Sequence, residues 1–334
     1  MNMPQCSIII VSYNNFEQTT GPCLQSLAQE SADFDIIVVD NHSDQQTRQA
    51  LLSVAARTPR LSLILKETNS GYSGGNNTGV QAAAGDLLLL LNSDTIVPPG
   101  AIARLIELMG EHPDWDMLGP VSNQSGNDQH ILTTGVTVPE ILAEGATWCA
   151  RSHDSHYVTD ILHFFCVMIR KKTYHQLNGL DEAFGLGYYE DTDFNYRAVK
   201  AGMKLMITED VFIYHQGSGS FAKSSPSVRK MVKQNKKLFR KKQGHDHNAA
   251  HWRIKNLAAM SRYVEQTDSP EFPLADLLYK FTNRRNLARQ LLPNSPIKRF
   301  FYLRQLKTIE KKMRLREIAS HAPGHPFPSL PEQS

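Results

Sequence analysis

The sequence predicts an α/β fold built on a mostly parallel sheet, and three observations carry that expectation. Five short apolar runs recur between residues 7 and 121, helix signals separate them, and no run is long enough for anything but a buried strand. The runs fall at residues 7–11, 35–39, 61–65, 87–91 and 117–121 and are nearly continuous in apolar side chains, as expected of strands covered on both faces. Alternation of strand and helix along the chain implies right-handed crossovers and a parallel sheet. The longest apolar run, five leucines at 87–91, is far short of the ~18 residues that a membrane-spanning helix requires.

Between these runs, Ser43-Asp44-Gln45-Gln46 fits a capping box and predicts a helix starting at Ser43. Pro98-Pro99 marks a second start, since proline is tolerated in the first turn. A third helix is expected over 73–84, stopped by Gly85. Residues 123–158 are rich in polar residues and glycine and read as an insertion of long loops and short strands. Apolar character returns at 161–169, a helix follows Glu190 and ends by Gly202, and short strands are expected at 204–207 and 211–215. Beyond Ser225 the chain reads as basic helices interrupted by Pro270, Pro273, Pro293 and Pro296, and the proline-rich residues 321–334 read as disordered. The expected organisation is an α/β domain over 1–222, a basic helical region over 223–320, and a tail over 321–334.

The net charge of +3 conceals an asymmetry. Residues 1–221 carry 12 Lys/Arg against 25 Asp/Glu, a net −13, and residues 222–334 carry 24 against 8, a net +16. An acidic body and a basic tail imply separate roles, the tail seeking phosphate in some form. Stretches such as Lys236-Lys237-Leu238-Phe239-Arg240-Lys241-Lys242 and Lys298-Arg299-Phe300-Phe301-Tyr302-Leu303-Arg304 interleave cations with large apolar groups and suit an anionic membrane surface, with an oligomer contact as the alternative. A nucleic-acid partner is not expected, because the acidic body would repel a polyanion. Cys6, Cys23, Cys149 and Cys166 lack CxxC spacing and read as reduced thiols. No secretory leader is read at the start, so the expected location is cytoplasmic, with docking on the inner membrane face as an option.

In an open parallel sheet, ligands bind beyond the carboxyl ends of the strands. Those ends carry Ser12-Tyr13-Asn14, Asp40-Asn41, the glycine-rich Asn69-Ser70-Gly71-Tyr72-Ser73-Gly74-Gly75-Asn76-Asn77 and Asn92-Ser93-Asp94. Singly, each is more readily a cap or turn. Jointly, they place two carboxylates, several amides and a helix start on one edge, a combination suited to a diphosphate and a divalent cation. Asp86 begins its strand and so belongs to the opposite edge. Neither GxGxxG nor GxxxxGK[ST] is present, nor the glycine- and arginine-rich opening turn of nucleotidylyltransferases. A second group, Glu190-Asp191-Thr192-Asp193, puts three acids in four residues, where a carboxylate could serve as general base. A third is Tyr214-His215-Gln216-Gly217-Ser218-Gly219-Ser220.

In order and spacing, SIIIVSYN, DNHSD, NSGYSGGNNTG, AAAGDLLLLLNSDT, GLDEAFGLGYYEDTDFNYR and VFIYHQGSGSF resemble the family 2 glycosyltransferases of GT-A fold, over roughly residues 7–221, and are similar to the rhamnosyltransferase-like branch. The resemblance implies an inverting enzyme of hexosyltransferase type. It would move a sugar, such as the deoxyhexose rhamnose, from a nucleotide-diphosphate donor to a hydroxyl of a glycan or lipid-linked glycan. It implies donor contacts from Tyr13, Asp40, Asn69, Gly75, Asn76 and Ser93, with Asp40 at the base. It also implies a Mg²⁺ or Mn²⁺ ion held by Asp94 and His215, and Asp191 as catalytic base with Glu190 beside it. Asn92 stands where the family's metal motif has its first acid, which leaves open a non-catalytic sugar-nucleotide binder of the same fold.

Overall fold

The computed structural model describes residues 4–217, 226–244 and 251–320. The tail at 321–334 and the Ser218–Ser220 end of the third group lie outside the described residues.

The chain begins with β1 (Cys6–Ser12), a 3₁₀ turn at Phe16–Gln18, α1 (Thr20–Leu27), β2 (Phe34–Asp40), α2 (Gln45–Ala55), β3 (Leu61–Leu65), α3 (Gly71–Ala82) and β4 (Leu87–Asn92). Then come β5 (Thr95–Ile96), α4 (Ala101–Glu111), β6 (Met117–Val121), α5 (Val138–Ala150), β7 (His156–Thr159), β8 (Cys166–Arg170) and α6 (Lys171–Gln176). A second 3₁₀ turn at Glu182–Phe184 precedes α7 (Glu190–Lys200), β9 (Leu205–Phe212) and β10 (Tyr214–His215). Four helices complete the chain: α8 (Pro226–Gln243), α9 (His251–Gln266), α10 (Leu274–Gln290) and α11 (Pro296–Ser320). The described residues fall into two compact units, one of 4–149 with 154–217 and 226–244, the other of 150–153 with 251–320. The boundary at 222/223 anticipated from composition falls before α8, which belongs to the first unit.

Eight strands form one sheet in the order β3-β2-β1-β4-β8-β6-β9-β7. β3, β2, β1 and β4 are mutually parallel, β8 runs against both β4 and β6, and β9 is parallel to β6. Ser12 pairs with Asp40 and Val11 with Asn92, so the ends of β1, β2 and β4 lie at one level. On one face Ile8, Ile10, Val38, Leu89 and Leu91 join Leu24, Leu27, Leu105 and Leu108 in a continuous buried core. Each such side chain contributes roughly 1.5–3 kcal/mol on burial. Cys6, Cys23 and Cys166 lie in this core.

β1, β2, β3, β4 and β6 appear where the five apolar runs predict them. Four local expectations need correction. The cap of α2 is Asp44, not Ser43: its carboxylate accepts from the Thr47 N–H at 2.8 Å. α4 begins at Ala101 behind a left-handed Gly100, after the two prolines. Residues 123–158 contain the 13-residue α5, whose start is tied by the Glu140 carboxylate accepting from the Val136 and Thr137 N–H groups. The two short strands expected at 204–207 and 211–215 are β9, continuous through Phe212, followed by β10.

Candidate active site

The loops after β1 and β2 clip each other. Asn14 and Asn15 both adopt left-handed backbone, the Asn14 N–H donates to Ser43 Oγ at 2.9 Å, and the Asp44 N–H donates to Asn14 Oδ1 at 2.8 Å. Tyr13, half-buried, begins this loop. Asp40 is fully buried. Its carboxylate accepts from Arg48 Nε at 2.8 Å and from the Ser43 N–H at 3.2 Å, so it holds the β2–α2 turn. Asn41, unassigned by the sequence, is the hub next door: its amide donates to Asn69 Oδ1 and to Gly71 O, both at 2.9 Å, and its carbonyl oxygen accepts from the Ser70 N–H.

α3 starts at Gly71, two residues earlier than expected, and Gly74 and Gly75 lie inside the helix. A Cβ on Gly75 would approach Val11 Cγ1 to 2.7 Å and one on Gly79 would approach Ile9 Cγ2 to 2.4 Å, so these positions seat α3 directly on β1. Asn76 is buried and donates to Tyr72 O. Asn77 reaches the other way, donating to Leu180 O and Glu182 Oε1 and accepting from Tyr174 Oη at 2.6 Å.

At the end of β4, Thr95 Oγ1 donates to Asn92 O and pins the turn that holds the buried Ser93 and Asp94. The antiparallel β5–β10 pair sets His215 opposite Thr95, which brings its Nε2 to 3.4 Å from Asp94 Oδ1. His215 Nδ1 lies 3.0 Å from Gln124 O. A carbonyl only accepts, so Nδ1 carries a proton toward Gln124 O and Nε2 is the ring atom turned to Asp94. A proton on Nε2 or a divalent cation can bridge the ring and the carboxylate. Phe165 stacks on the imidazole, and Asn123 exchanges two hydrogen bonds with the His215 backbone. The buried Asn92 Oδ1, two residues upstream, has no hydrogen-bond partner. A carboxylate, an imidazole and an orphaned amide oxygen are suitable donors for Mg²⁺ or Mn²⁺, so the residues present fit a divalent ion.

The three acids of the second group are sorted by their surroundings. Asp193 is buried and accepts from Arg197 Nε at 2.7 Å and Gln243 Nε2 at 2.6 Å. Glu190 is buried with Oε2 unpartnered, and desolvation together with the Asp191 charge pushes it up to about 8. Asp191 is half-buried, and its Oδ1 accepts from the Thr192 N–H and hydroxyl, leaving Oδ2 available. The chain enters α7 through Gly187, Tyr188 and Tyr189, all at positive φ. Such backbone costs of order 1–3 kcal/mol per non-glycine residue unless its surroundings fix it. Here the buried Asn235 of α8 donates to the carbonyls of Phe184, Gly187 and Tyr188 at 2.7–2.9 Å.

One segment, residues 162–165, joins the two acidic groups. Leu162 exchanges two hydrogen bonds with the Asn195 amide of α7, Phe164 O accepts from Tyr72 Oη, and Phe165 O accepts from the Asn92 N–H. The structure thus brings Asp94 to His215 and links both to Glu190 and Asp191. Asp40, Asn69, Gly75 and Asn76 form the scaffold beside them. Asn41, Tyr72, Asn77, Asn195 and Asn235 went unassigned in the sequence because each works through distant backbone carbonyls.

A further cluster lies at the β7–β9 end of the sheet. Asp154, His156 and Asp210 bring ligand atoms within 4.8 Å of one another. Arg104 already pairs with both carboxylates there, at 3.1 Å from Asp210.

A mixed sheet with acids gathered beyond its parallel strands, flanked by helices, defines a GT-A-type glycosyltransferase fold. Over 96% of this chain and 89% of the other, it superposes with a TM-score of 0.55 and 16% identity on a Pyrobaculum calidifontis mannosyltransferase, solved with GDP-Man and Mn²⁺. Residues 7–175 match the family described as Glycosyl transferase family 2, and the chain belongs to that family. It is 26% identical over 151 residues to an uncharacterised glycosyltransferase of Nostoc sp., covering 43% of this chain and 47% of that protein. It is 28% identical over 211 residues to a low-salt glycan biosynthesis hexosyltransferase of Haloferax volcanii, covering 60% and 63%. The chain therefore spans less than two-thirds of the length of these relatives. No helix among the described residues is long and apolar enough to cross a membrane.

Proposed function

We propose that the chain is an inverting glycosyltransferase of hexosyl type. It moves a sugar, deoxyhexoses such as rhamnose included, from a nucleoside-diphosphate donor to a hydroxyl of a glycan or lipid-linked glycan. The observation that carries this reading is the Asp94–His215 pair, whose ring is oriented by Gln124 O and which residues 162–165 connect to the helix that carries Asp191. The donor lies along the ends of β1 and β4, where Tyr13 and Ser93 touch it. Asp40, Asn69, Gly75 and Asn76 act by holding that edge in shape. A divalent ion, when bound at Asp94 and His215, offsets charge on the departing diphosphate. The acceptor oxygen forms its bond to the anomeric carbon as the bond from that carbon to the phosphate oxygen breaks. The acceptor proton passes to Asp191 Oδ2, and the electron pair leaves with the nucleoside diphosphate. Glu190, held largely protonated near neutral pH, does not compete for that proton.

The test is Asp191→Asn, assayed with a panel of nucleotide sugars. Transfer should fall by about 10²–10⁴-fold, the usual contribution of a general base, while donor affinity is retained. Near-normal turnover would remove Asp191 from the role. Wild-type chain that binds donor but neither transfers nor hydrolyses it would instead favour a non-catalytic sugar-nucleotide binder.

A further inference from the structure

α11 presents apolar side chains on two opposite faces. Tyr302, Leu306 and Met313 point inward and pack with Leu257, Met260, Tyr263 and Phe281 in the core of the second unit. About half a turn around the helix, Ile297, Phe300, Phe301, Leu315 and Ile318 form a second stripe, each 56–71% exposed. At 100° per residue, Arg304 and Lys311 fall within that same stripe, and Lys307 and Arg314 along its flank. The helix carries eight Lys/Arg and two Glu. Glu310 is engaged by Arg289 at 2.9 Å, and Arg304, Lys307 and Lys311 have no acidic partner among the described residues. The stripe continues into a groove of about 540 Å³ lined by Ile254, Leu257, Ala258, Phe301 and Arg304.

We propose that this outward face of α11 docks onto an anionic lipid bilayer. A face that combines exposed aromatic and aliphatic groups with unpaired cations is complementary to headgroups above and acyl chains below. A second copy of the same face would set like charges against each other, so charge selects the bilayer. The 25-residue helix is about 37 Å long at 1.5 Å per residue and lies along the surface. This inference is independent of the proposed chemistry and is read without donor or acceptor.

The test is co-sedimentation of the full chain with phosphatidylcholine vesicles, with and without phosphatidylglycerol. The wild type should pellet with the anionic vesicles and be released by salt. The Arg304→Gln/Lys307→Gln/Lys311→Gln variant should weaken partition by about fivefold per charge. Phe300→Ser/Phe301→Ser should weaken it by about tenfold or more, with the melting temperature unchanged. Phe300→Trp provides a second reading: brominated acyl chains should quench its added fluorescence. The proposal is overturned if the wild type ignores anionic vesicles at low ionic strength, or if the Phe300→Ser/Phe301→Ser variant binds as well as wild type. A dimer in solution that these same substitutions abolish would also overturn it, in favour of a second copy.

Discussion

Asp94 with His215, and Asp154 with His156 and Asp210, are built from the same residue types, yet they differ in what stands between them. In the second, Arg104 sits between the carboxylates and completes the charge balance from within the chain. Burial there pulls His156 below its ordinary value, against the pull of the neighbouring acids. In the first, a backbone carbonyl accepts from Nδ1 and the imidazole turns Nε2 to the carboxylate. The contrast teaches that a set of potential ligands becomes a site through what occupies its centre. Glu190 beside Asp191 shows a third way to settle crowded acids, by retaining a proton.

The comparison breaks first at Asp94. Asp94→Asn should lower transfer by about 10²–10³-fold, the scale of losing one stabilising group at a developing charge, and chelator should stop the wild type until Mg²⁺ or Mn²⁺ is returned. Full wild-type activity in excess chelator would assign Asp94 to the sugar and not to a metal. A smaller effect belongs to Glu190. Its raised native value means that the folded state holds a proton which the unfolded chain releases at ordinary carboxylate pH. The stability gained from that proton is complete below the ordinary carboxylate value and is lost as pH rises through about 8. Glu190→Gln should therefore be more stable than wild type at about pH 9 by a few kcal/mol, each pKa unit counting about 1.4 kcal/mol. Parallel melting curves for the two proteins across this range would refute it. The smallest effect on catalysis is expected at Arg104. Arg104→Met should cost about 1–3 kcal/mol of stability, leave transfer nearly intact, and let Mn²⁺ raise the melting temperature of the variant. A large loss of transfer with unchanged stability would place this cluster in the reaction.

The strands were legible because burial on both faces leaves one signature, a run of apolar residues, that needs no knowledge of partners. Asp94, Glu190 and Asp191 were legible by position, at strand ends and a helix start. His215 gained meaning only from its company. Less visible were α5, whose polar composition hides a helix tied by Glu140, and α3, whose glycines read as a turn but serve its approach to Val11 and Ile9. The segment at 162–165 was invisible in principle. Its work is done by main-chain groups and one stacked ring, and nothing in a residue's identity announces which distant amide will meet its carbonyl.

The choice of Gln124 O as the acceptor for His215 bears on how the site withstands mutation. A main-chain oxygen survives every substitution at its own position, so the proton placement on the imidazole is encoded in the path of the chain and not in any single codon. The exposure to genetic damage shifts instead to the residue that lets the path close. Gly217 holds φ +66°, a left-handed backbone that a side chain there would strain. Substitution at 124 leaves the acceptor oxygen in the chain, whereas any side chain at 217 strains the backbone beside it.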